Sequence, residues 1–346
     1  MGLTIYDIAS KAGVSIATVS RVFNDSPRVS DKTRASVLRV ASEMGYQPHA
    51  SARSLARRRT EVISAVIPMI SNYFFAEVLR GLQDHMADSS FDLLVFSARS
   101  LDEMSAQLDR ALHRGRSAGV LLFSAPVEGD LEALVENASQ PVVLVDGFHN
   151  TLDSISSDNR KGGVLAAGHL IRSGVTRPAI LMANRTSIPA GDRLDGFRSR
   201  LKSAGIALAD DMIMDSMDPL NDGYNEQSGF RAMKALLERG DIPEGVFATS
   251  DAQAVGALEA LKEAGLIPPH DIQVIGYDDL PVARYVGLTT LRQPMYDIGG
   301  RAFELLETRM SAPSGGVVHT VFSPTLIQRQ STRVTTPLTV REGIAL

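Results

Sequence analysis

The 346-residue chain has no cysteine and no tryptophan, and only 5% of it is aromatic. Without cysteine there is no disulfide framework and no thiolate metal site. No run of about eighteen apolar residues occurs, so nothing reads as a membrane span. The first residues carry no apolar stretch suited to a secretory signal, and the expected compartment is the cytoplasm. Catalytic motifs are missing too. No Gly-x-Gly-x-x-Gly follows a strand, no Gly-Lys-Ser/Thr P-loop occurs, none of the seven histidines sits in His-Glu-x-x-His, and no Gly-x-Ser-x-Gly elbow appears. The expectation is a protein that is not an enzyme and carries no cofactor and no metal.

What is present is charge separated along the chain. Residues 1–60 hold ten Lys and Arg against four acids, a net of +6, while the whole chain is −5 and the remainder therefore −11. A basic module on an acidic body points to nucleic acid. The same charges would also suit solvated helix faces, so the local pattern must decide.

That pattern is a helix-turn-helix. Thr4 can cap a helix whose third residue is Asp7, close to a capping box. Ile8 and Ala12 share a face, and Gly13 suits the left-handed backbone that ends a helix. Ser15 is a good N-cap for a second helix, with Val19 and Val22 inward and Ile16, Ala17 and Arg21 outward. Ser30 opens a third helix, with Val37, Leu38, Ala41 and Met44 as its apolar stripe and Gly45 as its stop. Such a head presents its second helix to a DNA major groove.

Thr4–Asn24, with Gly45-Tyr46-Gln47-Pro48 and Ala52-Arg53-Ser54-Leu55, resembles the lactose/galactose repressor family of bacterial transcription regulators. The resemblance implies that the second motif is a hinge helix that folds on the operator and inserts Leu55 into the minor groove. The residues suit that role. Pro48 starts a helix well, and Ala50, Ser51, Ala52 and Leu55 form a small-residue face that two chains can share. They also suit an ordinary linker with a buried leucine. The candidate DNA-binding residues are Thr4, Ser15, Ile16, Ala17, Thr18, Ser20, Arg21, Asn24, Ala52, Arg53 and Leu55.

Beyond Thr60 the chain alternates short apolar runs with helical stretches. Val62–Ile67, Leu93–Ser97, Gly119–Phe123 and Val142–Val145 form one strand series; Ala179–Ala183, Met212–Met214, Gly245–Thr249 and Gln273–Gly276 form another. Helices are expected at Phe75–Ala87, Asp102–His113 and Asp130–Asn137, then at Lys161–Ser173, Asp192–Ala204, Gln227–Arg239 and Ala252–Ala264. The fold class is α/β. A three-helix head and hinge helix precede a body of two doubly wound subdomains, which the resemblance identifies as periplasmic-binding-protein-like. The expected domains are a head at 1–46, a hinge and linker at 47–60, a body at 61–335 and a tail at 336–346. Crossings near Asp158, Arg292 and Ser323 would divide the body into an N-subdomain (61–158, 292–322) and a C-subdomain (159–291, 323–335).

Ligands of such sheets sit beyond the carboxyl ends of the strands. The resemblance extends to Arg193 in Asp192-Arg193-Leu194-Asp195-Gly196-Phe197, to Asp278 in Val274–Asp279, and to Leu288–Pro294. The candidate effector residues are Asn72, Phe75, Ser124, Asp146, Arg193, Tyr224, Ser250 and Asp278. An arginine fork and carboxylates can bind the vicinal hydroxyls of a sugar. Asp251 and Asp279 read instead as structural partners. Ser250 stands where the family usually has Asn, and Thr186–Pro189 lacks the extra Arg of purine-sensing members, which argues against a purine. Phe75 suits helix packing equally well.

The expected partners are a palindromic operator DNA, a sugar-like effector, and a second copy of the chain, since one head reads only a few base pairs. The tail after Thr332 has no heptads, so no tetramer-forming coiled coil is expected. A solute-binding protein, or a sugar-processing enzyme using Asp146 and Asp278 as a carboxylate pair, would account for the body alone.

Overall fold

The computed structural model describes residues 3–23, 26–46, 60–185, 187–216, 218, 223–240, 242–312 and 314–333. The head has three helices, α1 (Ile5–Ala12), α2 (Ile16–Phe23) and α3 (Asp31–Glu43). Its core is Ile8, Ala9, Val19, Val22, Val37, Val40 and Ala41. One expectation fails here. Leu38 is 46% exposed, and Val40 takes its place in the core. The inward stripe runs along Val37, Val40, Ala41 and Met44, a 3–4 spacing that turns Leu38 outward.

The first sheet contains β1 (Val62–Pro68), β2 (Asp92–Ala98), β3 (Gly119–Phe123), β4 (Val142–Val145), β5 (Asp153–Ser157) and β11 (His319–Phe322), in the spatial order β11-β5-β4-β3-β1-β2. All its pairings are parallel. Helices α4 (Tyr73–Met86) and α12 (Met295–Ser311) pack with one apolar cluster of this sheet, and α5 (Leu101–Leu112) and α6 (Asp130–Glu136) with the other. The second sheet contains β6 (Pro178–Met182), β7 (Ile213–Asp215), β8 (Gly245–Ala248), β9 (Gln273–Asp278), β10 (Thr289–Arg292) and β12 (Thr325–Ile327), ordered β12-β10-β9-β8-β6-β7. Only β12 runs antiparallel, against β10. Helices α7 (Asn159–Arg172) and α8 (Ile188–Ser203) pack into one of its clusters. Helices α9 (Glu226–Glu238), α10 (Asp251–Glu263) and α11 (Pro281–Tyr285) supply the other.

Three passages connect the sheets. The chain leaves β5 for α7 at Asp158, leaves β10 for α12 at Gln293-Pro294, and leaves β11 for β12 at Ser323-Pro324. The first and third lie side by side, because Asp158 N–H donates to the Phe322 carbonyl at 2.8 Å.

Three helix pairs approach through reciprocal glycines. A methyl group on Gly81 would overlap the Tyr296 carbonyl, and one on Gly299 the Val78 carbonyl, in the α4–α12 pair. Gly163 and Gly196 stand likewise against the Arg193 and Arg160 carbonyls in α7–α8, and Gly229 and Gly256 against Gln253 and Glu226 in α9–α10. Only a residue without a side chain lets backbones come so close. The α7–α8 contact matters most, because it sets the depth of Arg193.

Several boundaries differ from the pattern reading. Helix α8 starts at Ile188 rather than Asp192, because Ser187 caps it and Pro189 occupies the first turn. Strand β7 lies one residue later than Met212–Met214, since Met212 belongs to a 3₁₀ turn over Asp210–Met212. Strands β5, β10, β11 and β12 had no apolar run to announce them. In β5, Asp153, Ser154 and Ser157 are buried polar residues, and Asp153 is held by Arg309 Nε and Nη2 and the Val318 N–H.

Candidate functional site

The head is locally well specified. The Thr4 N–H donates to Asp7 Oδ2 at 2.8 Å and the Thr4 hydroxyl to the same oxygen at 2.7 Å, fixing the start of α1. Gly13, with φ of +66°, ends it. Ser15 Oγ accepts the Thr18 N–H at 3.1 Å and lies 2.9 Å from the Thr18 hydroxyl, so α2 starts where the turn releases it. Arg34 braces the turn that follows, donating to the Val22 and Ser26 carbonyls. On α2, Val19 and Val22 are buried, while Ile16, Ala17 and Arg21 face solvent. Thr4 is exposed, and Thr18 and Ser20 are half-buried. Tyr6, 66% exposed, is an outward aromatic that the pattern reading passed over. Asn24, Ala52, Arg53 and Leu55 lie outside the described residues.

The second constellation gathers at the carboxyl ends of the strands. Five described non-glycine residues have positive φ: Met69 (48°), Ser124 (43°), Asp146 (56°), Asp278 (118°) and Asp279 (60°). Met69, Ser124 and Asp146 directly follow β1, β3 and β4, and Asp278 and Asp279 close β9. Such backbone costs free energy unless its surroundings hold it, and its concentration at strand ends is the pattern of a functional site.

Arg193 is the centre of this cluster and is only 4% exposed. Its Nε donates to Asn159 Oδ1 at 2.8 Å and its Nη1 to the Thr249 carbonyl at 2.5 Å. Its guanidinium carbon lies 3.7 Å from the Tyr277 ring centre and 6.0 Å from that of Tyr224. Burial opposes its charge, but the field of Tyr277, Tyr224, Asp278 and Asp146 outweighs burial and holds it protonated. Asp278 accepts from Gln293 Nε2 at 2.7 Å. Burial pushes its carboxyl up to about 6, against the pull of Arg193 and the Gln293 amide. Asp146 accepts from the Ser124 hydroxyl at 2.7 Å, and burial raises it too. Tyr224 meets the Ser187 hydroxyl at 2.7 Å, and burial pushes its phenol up to about 12.

Ser124, Asp146, Arg193, Tyr224 and Asp278 thus form one neighbourhood. The other three candidates are engaged otherwise. Asn72 caps α4 by accepting the Phe74 N–H at 2.9 Å. Ser250 caps α10 by accepting the Gln253 N–H at 3.2 Å. Phe75 is buried edge-on against Phe74 and Phe123 in the core of the first sheet. Asp251 accepts from Thr290 Oγ1 at 2.6 Å and the Leu280 N–H at 2.7 Å. Asp279 is held by Arg292 and Arg329. Both therefore clamp the turn that aims Asp278. The pattern reading missed Asn159, Gln293, Tyr277 and the Thr249 carbonyl. Asn159 and Gln293 have a signal in hindsight, since each adjoins a passage between the sheets.

Residues 4–49 match the family of bacterial regulatory proteins of the lacI type, and residues 167–332 match a periplasmic binding protein-like domain. The ribose operon repressor of Haemophilus influenzae is 33% identical over 95% of this chain and 98% of its own. The HTH-type transcriptional regulator GalR of Escherichia coli is 34% identical over 96% of each. The chain belongs to the lacI family. Among solved structures, the transcriptional regulator CelR–cellobiose complex superposes with a TM-score of 0.72 at 29% identity, covering 95% of this chain and all of that one. A lacI-family regulator from Silicibacter pomeroyi gives 0.82 at 25% identity, covering 95% of this chain and 99% of that one.

This lacI-family protein is a DNA-binding transcription regulator with a ligand-binding type of body. A solute-binding protein or a sugar-processing enzyme accounts for the body but leaves residues 4–49 without a role. The two relatives are named as a repressor and a transcriptional regulator. Among the described residues no helix is long and apolar enough to cross a membrane, and no group of three or more acids or histidines is placed to hold a metal ion.

Proposed function

We propose that this regulator is a repressor that binds a palindromic operator as a homodimer and is switched by an uncharged saccharide held among Asp146, Arg193 and Asp278. The observation that carries the reading is a buried guanidinium in the field of two strand-end carboxylates, Asp146 and Asp278. Two carboxylates accept hydroxyl protons and one fork donates to hydroxyl oxygens, a donor–acceptor set that vicinal hydroxyls satisfy.

Charge argues for a neutral ligand. Other cations near these strand ends are already matched: Arg185 with Asp215, Arg292 with Asp279, and Arg160 with Asp195. Lys161 Nζ donates to Ser323 Oγ at 2.9 Å. A phosphate or carboxylate would meet one arginine whose charge Asp146 and Asp278 already oppose. The names of relatives agree in kind, with a ribose operon repressor and a cellobiose-bound regulator among them.

On the DNA side, Ile16 and Ala17 meet base edges at the start of α2, and apolar contact with thymine methyls is their expected mode. Thr4, Ser15, Thr18, Ser20, Asn24 and Arg21 fix the head on phosphates. Ala52, Arg53 and Leu55 belong to a hinge that orders on the operator, with Leu55 as a minor-groove wedge. The domain limits follow: head to residue 46, hinge to 60, then the two-part body. The test is calorimetry of the full chain with D-ribose, D-galactose and cellobiose, and with ribose 5-phosphate and galactose 6-phosphate. Binding of a neutral sugar but not of the phosphates supports the reading. Preference for a phosphate, or binding of none of them, contradicts it.

A further inference from the structure

Two of the three ligand-facing charges, Arg193 and Asp278, are each tied to an amide side chain that adjoins a passage between the two sheets. Asn159 directly follows Asp158, where the chain leaves the first sheet, and its Oδ1 accepts from Arg193 Nε at 2.8 Å. Gln293 directly follows β10, where the chain returns, and its Nε2 donates to Asp278 Oδ1 at 2.7 Å. Both amides are buried, at 7% and 3% exposure. The third passage is tied to the first by Lys161 Nζ on Ser323 Oγ and by Asp158 N–H on the Phe322 carbonyl.

We infer that Asn159 and Gln293 are positioning residues that couple ligand contact at Arg193 and Asp278 to the relative setting of the two subdomains. The inference rests on the saccharide reading for its ligand. Its physical content is separate. A ligand shifts a two-state equilibrium only through interactions that differ between the states. Arg193 and Asp278 both belong to the second-sheet subdomain, and Asp146 acts on them from the first sheet through its field. The amides add hydrogen-bonded links that stand at the passages themselves. Among the described residues Gln293 Oε1 is buried without a partner, so this amide is anchored through its Nε2 bond. The chain of contacts Gln293–Asp278–Arg193–Asn159 closes the path, since Arg193 and Asp278 interact directly by charge.

The test uses the full chain, with Asn159→Leu and Gln293→Met removing the polar groups at near-constant size. Asn159→Asp keeps the acceptor for Arg193. The first arm measures anisotropy on a fluorescent duplex selected from random sequence by the wild type, with and without saturating saccharide from the D-ribose, D-galactose and cellobiose set. At saturating saccharide, Asn159→Leu and Gln293→Met are expected to lose tenfold or more of its effect on DNA affinity, beyond any loss in saccharide affinity. Asn159→Asp is expected to keep the effect. An effect unchanged within twofold in both variants, or lost only in proportion to saccharide affinity, overturns the inference.

The second arm needs no ligand. In amide hydrogen exchange, Gln293→Met is expected to speed exchange at residues 158–162 as well as 293–296. Acceleration confined to 293–296 overturns the inference. A wild type that binds no saccharide overturns the effector reading instead and leaves this arm to judge the coupling.

Discussion

The guanidinium carbon of Arg193 lies 3.7 Å from the centre of the Tyr277 ring, and the residue after Tyr277 is the carboxylate that opposes it. The arginine is thus fixed by an aromatic face, an amide and a carbonyl before any ligand arrives. Preorganisation of this kind lowers the ordering cost of binding. Replacing Arg193 with Ala should weaken saccharide binding by tenfold or more, the effect of losing about 1.5–3 kcal/mol of charge-assisted bonding. Arg193→Lys should not restore it, because a single ammonium cannot serve Asn159 and Thr249 together. Calorimetry checks both; normal affinity in Arg193→Ala removes Arg193 from the site, and normal affinity in Arg193→Lys overturns the need for its fork.

Acidity at Asp278 carries a sign that can be measured. Its folded carboxyl sits near 6, above the ordinary carboxylate range, so between about pH 4 and 6 the folded state holds more protons than the unfolded. Its contribution to stability is therefore full below that window and is lost as pH rises through 6. Ligand binding should run the other way, because protonation removes an acceptor. Asp278→Asn should flatten the stability profile across the window in denaturant titrations. An unchanged slope would contradict this assignment; the neighbouring Asp251 carboxyl is likewise raised, by burial and by Asp278.

The glycine contacts predict opposite outcomes within one helix. Gly196→Ala puts a methyl into the Arg160 carbonyl and should cost at least about 1–3 kcal/mol, which lowers the melting temperature by several degrees. Gly191→Ala, also in α8 but with nothing among the described residues within 4 Å of an added methyl, should stabilise by about 0.5–1 kcal/mol. Scanning calorimetry of the pair decides it, and equal melting points would contradict the close-approach argument.

Much of this was legible in the chain. The head could be read because caps and stops stand at helical spacing: Thr4 with Asp7, Gly13, Ser15 and Ser30 all act as their types suggest. The apolar strands could be read because parallel strands buried on both faces are continuous apolar runs. Strand β5 escaped because Asp-Ser-Ile-Ser-Ser carries no such run; Asp153 and Ser154 are met by Arg309, Val318 and His319 from distant parts of the chain. Asn159 and Gln293 escaped for a related reason. An amide in a helix start or a loop has no periodicity, and its meaning appears only when tertiary contact brings Arg193 or Asp278 to it.

Base preference should follow Ile16 and Ala17, both exposed at the start of α2. A double replacement with polar residues should change the consensus half-site recovered from random duplexes. Affinity for any duplex should fall steeply with salt, since phosphate contacts release counterions. An unaltered consensus, or a flat salt response, would contradict the assignment of this face.

The most direct test of the whole account is operator affinity of the full chain measured by anisotropy, in the presence and absence of the saccharide that binds it, for wild type and Arg193→Ala side by side. The account predicts that wild type changes its affinity for DNA when saccharide is added, that Arg193→Ala binds DNA as tightly as unliganded wild type, and that saccharide no longer alters it. An Arg193→Ala chain that still responds to the sugar as wild type does would contradict the claim that this buried arginine links ligand to DNA.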